Sequence, residues 1–245
     1  MKYLTATLTS KIFKPRMVSF VLLFGLIIGL SSCEAFKMVR QMNDTEVHTF
    51  TYTNGEQTLV FVPMIHVAKP EFYANVKNAI KQYKEQGYVY YYEWIDFDSA
   101  SQETQWKIRE MVGFLPSPTG YSKQLQPLVE QGYTVQKNDE FLNIVNDQDY
   151  NVDITAAEVV RLYEAKYGVI SITELNKNTP MDEKYTATLD DDQVEDIILN
   201  SRNQHIVKTM ADLNHEKILM TYGSKHREGI IEMLQKTDES WHEVE

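Results

Sequence analysis

Two histidines stand where strand-like runs end. His66 closes LVFVPMIH over residues 59–66, and His226 closes LMTYGSKH over residues 219–226. Both runs are apolar, β-branched and aromatic, which reads as buried strand, and a helical pattern follows each. Glu93 stands near the end of a third such run, YVYYYEWI, and Arg202 lies on the apolar stripe of a later helical pattern. Two imidazoles and a carboxylate gathered in one place suit a divalent ion such as Mn²⁺, Co²⁺ or Zn²⁺, with one position left for water. Such an ion lowers the pKa of its bound water to about 7 and polarises a carbonyl. In that chemistry Glu93 is a third ligand or the general base, and Arg202 orients Glu93 or stabilises a developing oxyanion. The alternative without metal uses His66 or His226 as the base.

For residues so far apart in the chain to meet, their strands must share a rim, as the carboxyl ends of parallel strands do in open α/β sheets. The expected fold is therefore α/β, a mixed and mostly parallel central sheet flanked by helices. Residues 58–95 read as a βαβ unit in which Pro70 opens the helix and Gly87 closes it. Ahead of it, Val47–Thr53 alternates, Asn54-Gly55 follows, and Glu56–Val62 resumes. That pattern predicts an N-terminal β-hairpin with a type I′ turn. Alternation through the third run puts Val89, Tyr91 and Glu93 on one face and Tyr90, Tyr92 and Trp94 on the other. A carboxylate among aromatics needs a cation or rises in pKa.

The cation is expected from a helix over residues 193–213. Val194, Ile198, His205, Ile206 and Leu213 form its stripe with Arg202 in the middle. A core-facing guanidinium is costly unless a carboxylate takes it through paired hydrogen bonds. Glu93 is the first partner expected and Asp153 the second, although Asp153 also reads as a turn residue before the capping box of Thr155 and Glu158. His205 reads as a core histidine and His48 as a strand-surface residue. Helices are expected over residues 98–112, 126–131 and 229–235, a strand over 133–136, and polar irregular chain over 171–190.

At 245 residues, without a Pro-, Gly- or Ser-rich linker, the chain is read as one core. Lys2, Lys11, Lys14 and Arg16 precede the apolar block Val18–Leu30, and Leu30-Ser31-Ser32-Cys33 ends it with the only cysteine. This arrangement resembles the bacterial lipoprotein signal, which implies cleavage before Cys33, a lipid on that cysteine, and a place in the cell envelope outside the cytoplasm. Glu34, where an inner-membrane retention aspartate would stand, favours the outer membrane. Removal of residues 1–32 takes away four positive charges and no negative ones, so the formal charge moves from −11 to −15. Such a surface repels nucleic acid and anionic lipid, which leaves the lipidated Cys33 as the membrane contact. The expected organisation is a signal peptide over 1–32, a tether over 33–46, a single domain over 47–236 and a loose charged tail over 237–245.

The ordered set of chemical residues resembles the TraB, PrgY, GumN and Tiki group within the erythromycin-esterase and ChaN-like superfamily. Pro63-Met64-Ile65-His66 stands at the first GxxH motif with proline for glycine, Glu93 at the strand-end carboxylate, Arg202-Asn203 at the late arginine, and Gly223-Ser224-Lys225-His226 at the second GxxH. The likeness to Tiki proteins implies metal-dependent cleavage of a peptide or protein substrate, with His66 and His226 as ligands. That to PrgY implies peptide binding without cleavage, and that to ChaN-like proteins a haem site.

Overall fold

The computed structural model describes residues 32–244. The leader before Ser32 and the Cys33 side chain lie outside the described residues. The chain forms two compact units, one ending at Asn43 and one over residues 44–245. In the first, Ser32–Asn43 is a helix, α1. Irregular tether was expected there, but Glu34, Ala35, Lys37, Met38, Arg40, Gln41 and Met42 are all good helix formers. Among the described residues no helix is long and apolar enough to cross a membrane.

The second unit runs β1 (Phe50–Thr53), β2 (Thr58–Met64), β3 (Val67–Ala68), α2 (Pro70–Glu85), β4 (Val89–Tyr92), α3 (Gln102–Val112), α4 (Pro118–Val129), β5 (Thr134–Val135), α5 (Asn138–Leu142) and β6 (Tyr150–Asn151). It continues with α6 (Ala156–Tyr167), α7 (Glu174–Asn178), α8 (Asp191–Glu195), a π-helical segment (Asp196–Ser201), α9 (Arg202–Leu213), β7 (Lys217–Gly223), α10 (His226–Thr237) and β8 (His242–Glu243). The fold is α/β. Six strands form a sheet in the order β6-β4-β7-β2-β1-β8, while β3 and β5 make a separate antiparallel pair. Strands β6, β4, β7 and β2 run parallel, and β1 and β8 add antiparallel strands at one side. The βαβ strands β2 and β4 are parallel as expected, but β7 lies between them.

Helices cover both faces, so β2 and β7 read as near-continuous apolar runs. On one face Phe61, Tyr91, Met220 and Tyr222 pack with Ile206 and Met210 of α9 and Ile230 of α10. On the other, Val60, Val62, Tyr90 and Leu219 pack with Phe72, Val76 and Ile80 of α2. A third core joins Ile108, Met111, Val159 and Val160 to Val194 and Ile197. Pro63 fits inside β2 for a local reason. The Met64 carbonyl accepts from Ser224, on the β7 side, so alternation turns the Pro63 nitrogen toward β1, whose pairing ends at Phe61.

Three expectations are corrected. Strands β1 and β2 are joined by residues 54–57 without the type I′ turn: Gly55 has φ 90°, but Asn54 is not in the left-handed region. The Asn54 Oδ1 instead accepts from the Glu56 and Gln57 amides, a local turn that competes with the two-residue form. The helix expected at 126–131 starts at Pro118, where the Ser117 hydroxyl accepts from the Gly120 amide, and it accommodates Pro127 inside. The tail is not loose. Trp241 is buried in the first core, Asn54 donates to Asp238, and β8 pairs with β1.

Candidate functional site

Four parallel strands deliver the chemical residues to one rim. Asp153 follows β6, Glu93 follows β4, Gly223 ends β7 with His226 just beyond, and His66 follows β2. Their spatial sequence is therefore that of the strands, β6-β4-β7-β2. Backbone bonds carry the rim past the strand ends: Glu93 donates to Thr221 at 3.3 Å, Val152 to Tyr92 at 3.1 Å and Ser224 to Met64 at 3.0 Å.

Arg202, the first residue of α9, reaches into this rim and organises it. Its Nε donates to Asp153 Oδ1 at 3.0 Å, and its Nη2 donates to Asp153 Oδ2 at 2.6 Å, to Glu93 Oε1 at 2.7 Å and to the Tyr222 hydroxyl at 2.8 Å. Asp153, expected mainly as a turn residue, is thus the two-pronged partner, with a fully buried side chain. Glu93 keeps 20% of its side chain exposed, and its Oε2 accepts from the Gly223 amide at 2.7 Å. A Cβ at Gly223 would stand 3.4 Å from Glu93 Oε2 and from the His226 ring, in ordinary contact with both. His226 is buried at the start of α10. Its Nδ1 is 2.7 Å from Asn203 Oδ1, an acceptor, so the proton is assigned to Nδ1 and the Nε2 lone pair faces Arg202 Nη1 at 3.4 Å. Gly229 makes room for this arrangement, because a Cβ there would stand 2.3 Å from Asn203 Nδ2. His66 is exposed, and its carbonyl accepts from Gln136 at 2.8 Å.

Protonation follows from burial and the shared guanidinium. Burial alone would raise the Glu93 carboxyl, but Arg202, with His66 and His226 behind it, holds it below the ordinary carboxylate value. Asp153 goes the other way, since burial outweighs its contact with Arg202. Burial, with the Arg202 charge beside it, lowers the His226 pKa from 6.5 to about 4. The folded protein therefore carries neutral His226 where an unfolded chain already takes up a proton. Stability should fall as pH drops from 6.5 toward 4, by about 3 kcal/mol when the difference is fully expressed. Urea melts across that range should show the loss in the native chain and a flatter profile in His226→Gln; equal slopes would refute it.

The donors at the rim are already engaged. Both Glu93 oxygens are taken, and the Arg202 guanidinium faces the His226 Nε2 lone pair that an ion would need. His66, Glu93 and His226 do not bring ligand atoms within 4.8 Å of one another. In this arrangement the rim does not fit a three-ligand metal centre. Among the described residues the group that meets that distance is Asp44, Glu46 and His48, a triad able to hold a metal ion, with Glu46 and His48 exposed. Its His48 Nε2 lies 2.9 Å from Asp44 Oδ2.

The structure adds four residues to the expected set. Tyr222 and Asn203 hold Arg202 and His226; alternation along β7 and the neighbour of Arg202 were the available signals. Arg109 and Glu110 form a second buried polar cluster, with no signal beyond their place beside Ile108 and Met111. His205, expected in the core, is half-buried, because the buried positions after the π segment are Arg202, Asn203, Ile206 and Met210. Compared with family models, curated proteins and solved structures, the chain matches none.

Proposed function

We propose that this chain is a hydrolase acting on the carbonyl of a peptide-like substrate, with His66 and Glu93 as its working pair and no ion at the rim. One observation carries the reading: Glu93, kept ionised by Arg202, is presented at the rim with the exposed His66 imidazole in its electrostatic reach. An imidazole is suited to proton transfer near neutral pH. His66 takes a proton from water as the water oxygen attacks the carbonyl carbon, Glu93 stabilises the imidazolium formed, and the proton passes to the leaving amine or alkoxide. Arg202 is a positioning residue: it fixes the Glu93 carboxylate and its charge state from behind. A Mn²⁺, Co²⁺ or Zn²⁺ ion held by His66 and His226, as the family resemblance implies, is the reading this donor geometry supports less well. The ordered residues at 66, 93, 202 and 226 support kinship with the TraB and Tiki group, and the pattern before Cys33 supports a lipid-tethered place outside the cytoplasm.

The test is digestion of a peptide library by the form starting at Glu34, after chelation and then with each metal restored. Cleavage should persist in chelator and fall by about 10²-fold in His66→Ala, the scale of a lost general base. Activity that vanishes on chelation and returns with one ion would replace this reading with the metal-dependent one. Undiminished cleavage by His66→Ala would remove the rim as the active site.

A further inference from the structure

Asp44, Glu46 and His48 stand at alternate positions of the short irregular segment that leads into β1, and each offers a ligand atom within 4.8 Å of the other two. The residues between them are tied to the domain. The Thr45 carbonyl accepts from Asn75 Nδ2 on α2 at 2.9 Å, and Val47 packs against the core that holds Val60, Val62 and Phe72. Glu46 and His48 are exposed and Asp44 is half-buried. The Asp44 Oδ1 accepts from the Glu46 amide at 3.0 Å, while Oδ2 lies 2.9 Å from His48 Nε2. Two metal bonds of ~2.1 Å at a right angle put their ligand atoms ~3.0 Å apart, whereas the tetrahedral angle puts them ~3.4 Å apart. The Asp44–His48 spacing therefore suits neighbouring corners of an octahedron. A hydrogen bond alone would account for that pair, but not for a third donor, Glu46, brought within the same reach. Two carboxylates match the charge of a divalent ion, and an imidazole selects the first-row transition metals over Ca²⁺ and Mg²⁺, which prefer oxygen.

The geometry points to Asp44 Oδ2, a Glu46 carboxylate oxygen and His48 Nε2 as three adjoining ligands of a six-coordinate divalent transition-metal ion, with water in the three outward positions. On binding, the His48 ring carries its proton on Nδ1 and gives the Nε2 lone pair to the ion, so its contact with Asp44 becomes shared coordination. No residue of the rim takes part, and the site stands independently of the hydrolase reading. Its role is to pin the chain where it enters the sheet, since an ion bound only by the folded segment adds its binding energy to folding.

Binding is measured on the purified, untagged full-length chain, stripped with chelator and dialysed, then titrated by calorimetry with Mn²⁺, Co²⁺, Ni²⁺ and Ca²⁺ in turn. A single equivalent should bind, with affinity rising from Mn²⁺ through Co²⁺ to Ni²⁺ and Ca²⁺ the weakest. The Co²⁺ complex should show the weak visible bands of six coordination. His48→Ala and Glu46→Gln, both at exposed positions that leave the fold intact, should each weaken Ni²⁺ by at least ~10-fold, the lower end of what a lost supporting contact alone costs. His66→Ala at the rim should leave Ni²⁺ affinity unchanged. The site is overturned by the absence of saturable binding, by Ni²⁺ affinity that survives His48→Ala or is lost in His66→Ala, by Ca²⁺ binding as tight as Ni²⁺, or by the intense Co²⁺ spectrum of a tetrahedral centre.

Discussion

Arg202→Met should destabilise the protein by about 3–5 kcal/mol, the usual result of stranding buried charge. The guanidinium answers two carboxylates at once, Asp153 through Nε and Nη2 and Glu93 through Nη2, and it also reaches the Tyr222 hydroxyl. Methionine fills much of the same space but leaves Asp153 fully buried without a cation. Arg202→Lys should recover only part of the loss, because an ammonium cannot reproduce the fork. Adding Asp153→Leu to Arg202→Met should restore part of the stability by removing the stranded charge, so the double variant should be more stable than the single one. Urea midpoints with unchanged slopes would measure each step. A single variant within about 1 kcal/mol of the native chain would mean that solvent reaches this network and that its hydrogen bonds matter little.

Glu110→Ala is expected to have an effect of the same size at the second buried cluster. Glu110 Oε1 accepts from the Thr173 amide, the Thr173 hydroxyl and Asn176 Nδ2 at 2.8–3.1 Å. Its Oε2 accepts from the hydroxyls of Tyr185 at 2.8 Å and Thr188 at 2.6 Å. These donors all belong to the polar segment over residues 171–190, so one carboxylate from α3 stands in for the core that segment lacks. Arg109, fully buried, ties the same segment through Asn176, Pro180 at 2.7 Å and Thr179 at 2.8 Å. Alanine at 110 removes the acceptor of five donors, of which the Thr173 and Tyr185 hydroxyls, 2.8 Å apart, can still pair with each other; each remaining donor that water cannot reach costs about 1–3 kcal/mol. About 3–5 kcal/mol should be lost, with new protease cuts within residues 171–190; Glu110→Gln should fall between. Native-like resistance to proteolysis in Glu110→Ala would show that Arg109 holds the segment alone.

How much of this was legible depended on the length of chain that carried each signal. β2 and β7 are seven residues each and mostly apolar, so their ends, and with them His66 and His226, could be read directly. Alternation placed Glu93 on the face that Arg202 approaches. β6 is only Tyr150–Asn151, too short for alternation to register, and Asp153 therefore looked like a turn residue rather than the closer partner of Arg202. The insertion of β7 between β2 and β4 is a long-range pairing that no local pattern encodes. Arg109 and Glu110 were missed because their partners are mostly carbonyls, hydroxyls and amides of a loop more than 60 residues away. The metal expectation is met only coarsely, by Asp44, Glu46 and His48 rather than by the rim histidines: residue types specify a donor set, while its spacing depends on which donors a neighbouring guanidinium has already claimed.

The wide turn between Asp196 and Ser201 carries one residue more than an α-helical course would. The stretches before and after it are consequently out of phase by about 100°. Val194 and Ile197 face one apolar core, Ile206 and Met210 another, and Arg202 emerges at the seam between them. Chain length in that single turn is thus as much a determinant of the rim as the identity of any side chain in it. Excision of one residue there would leave every chemical group present and aim the guanidinium elsewhere.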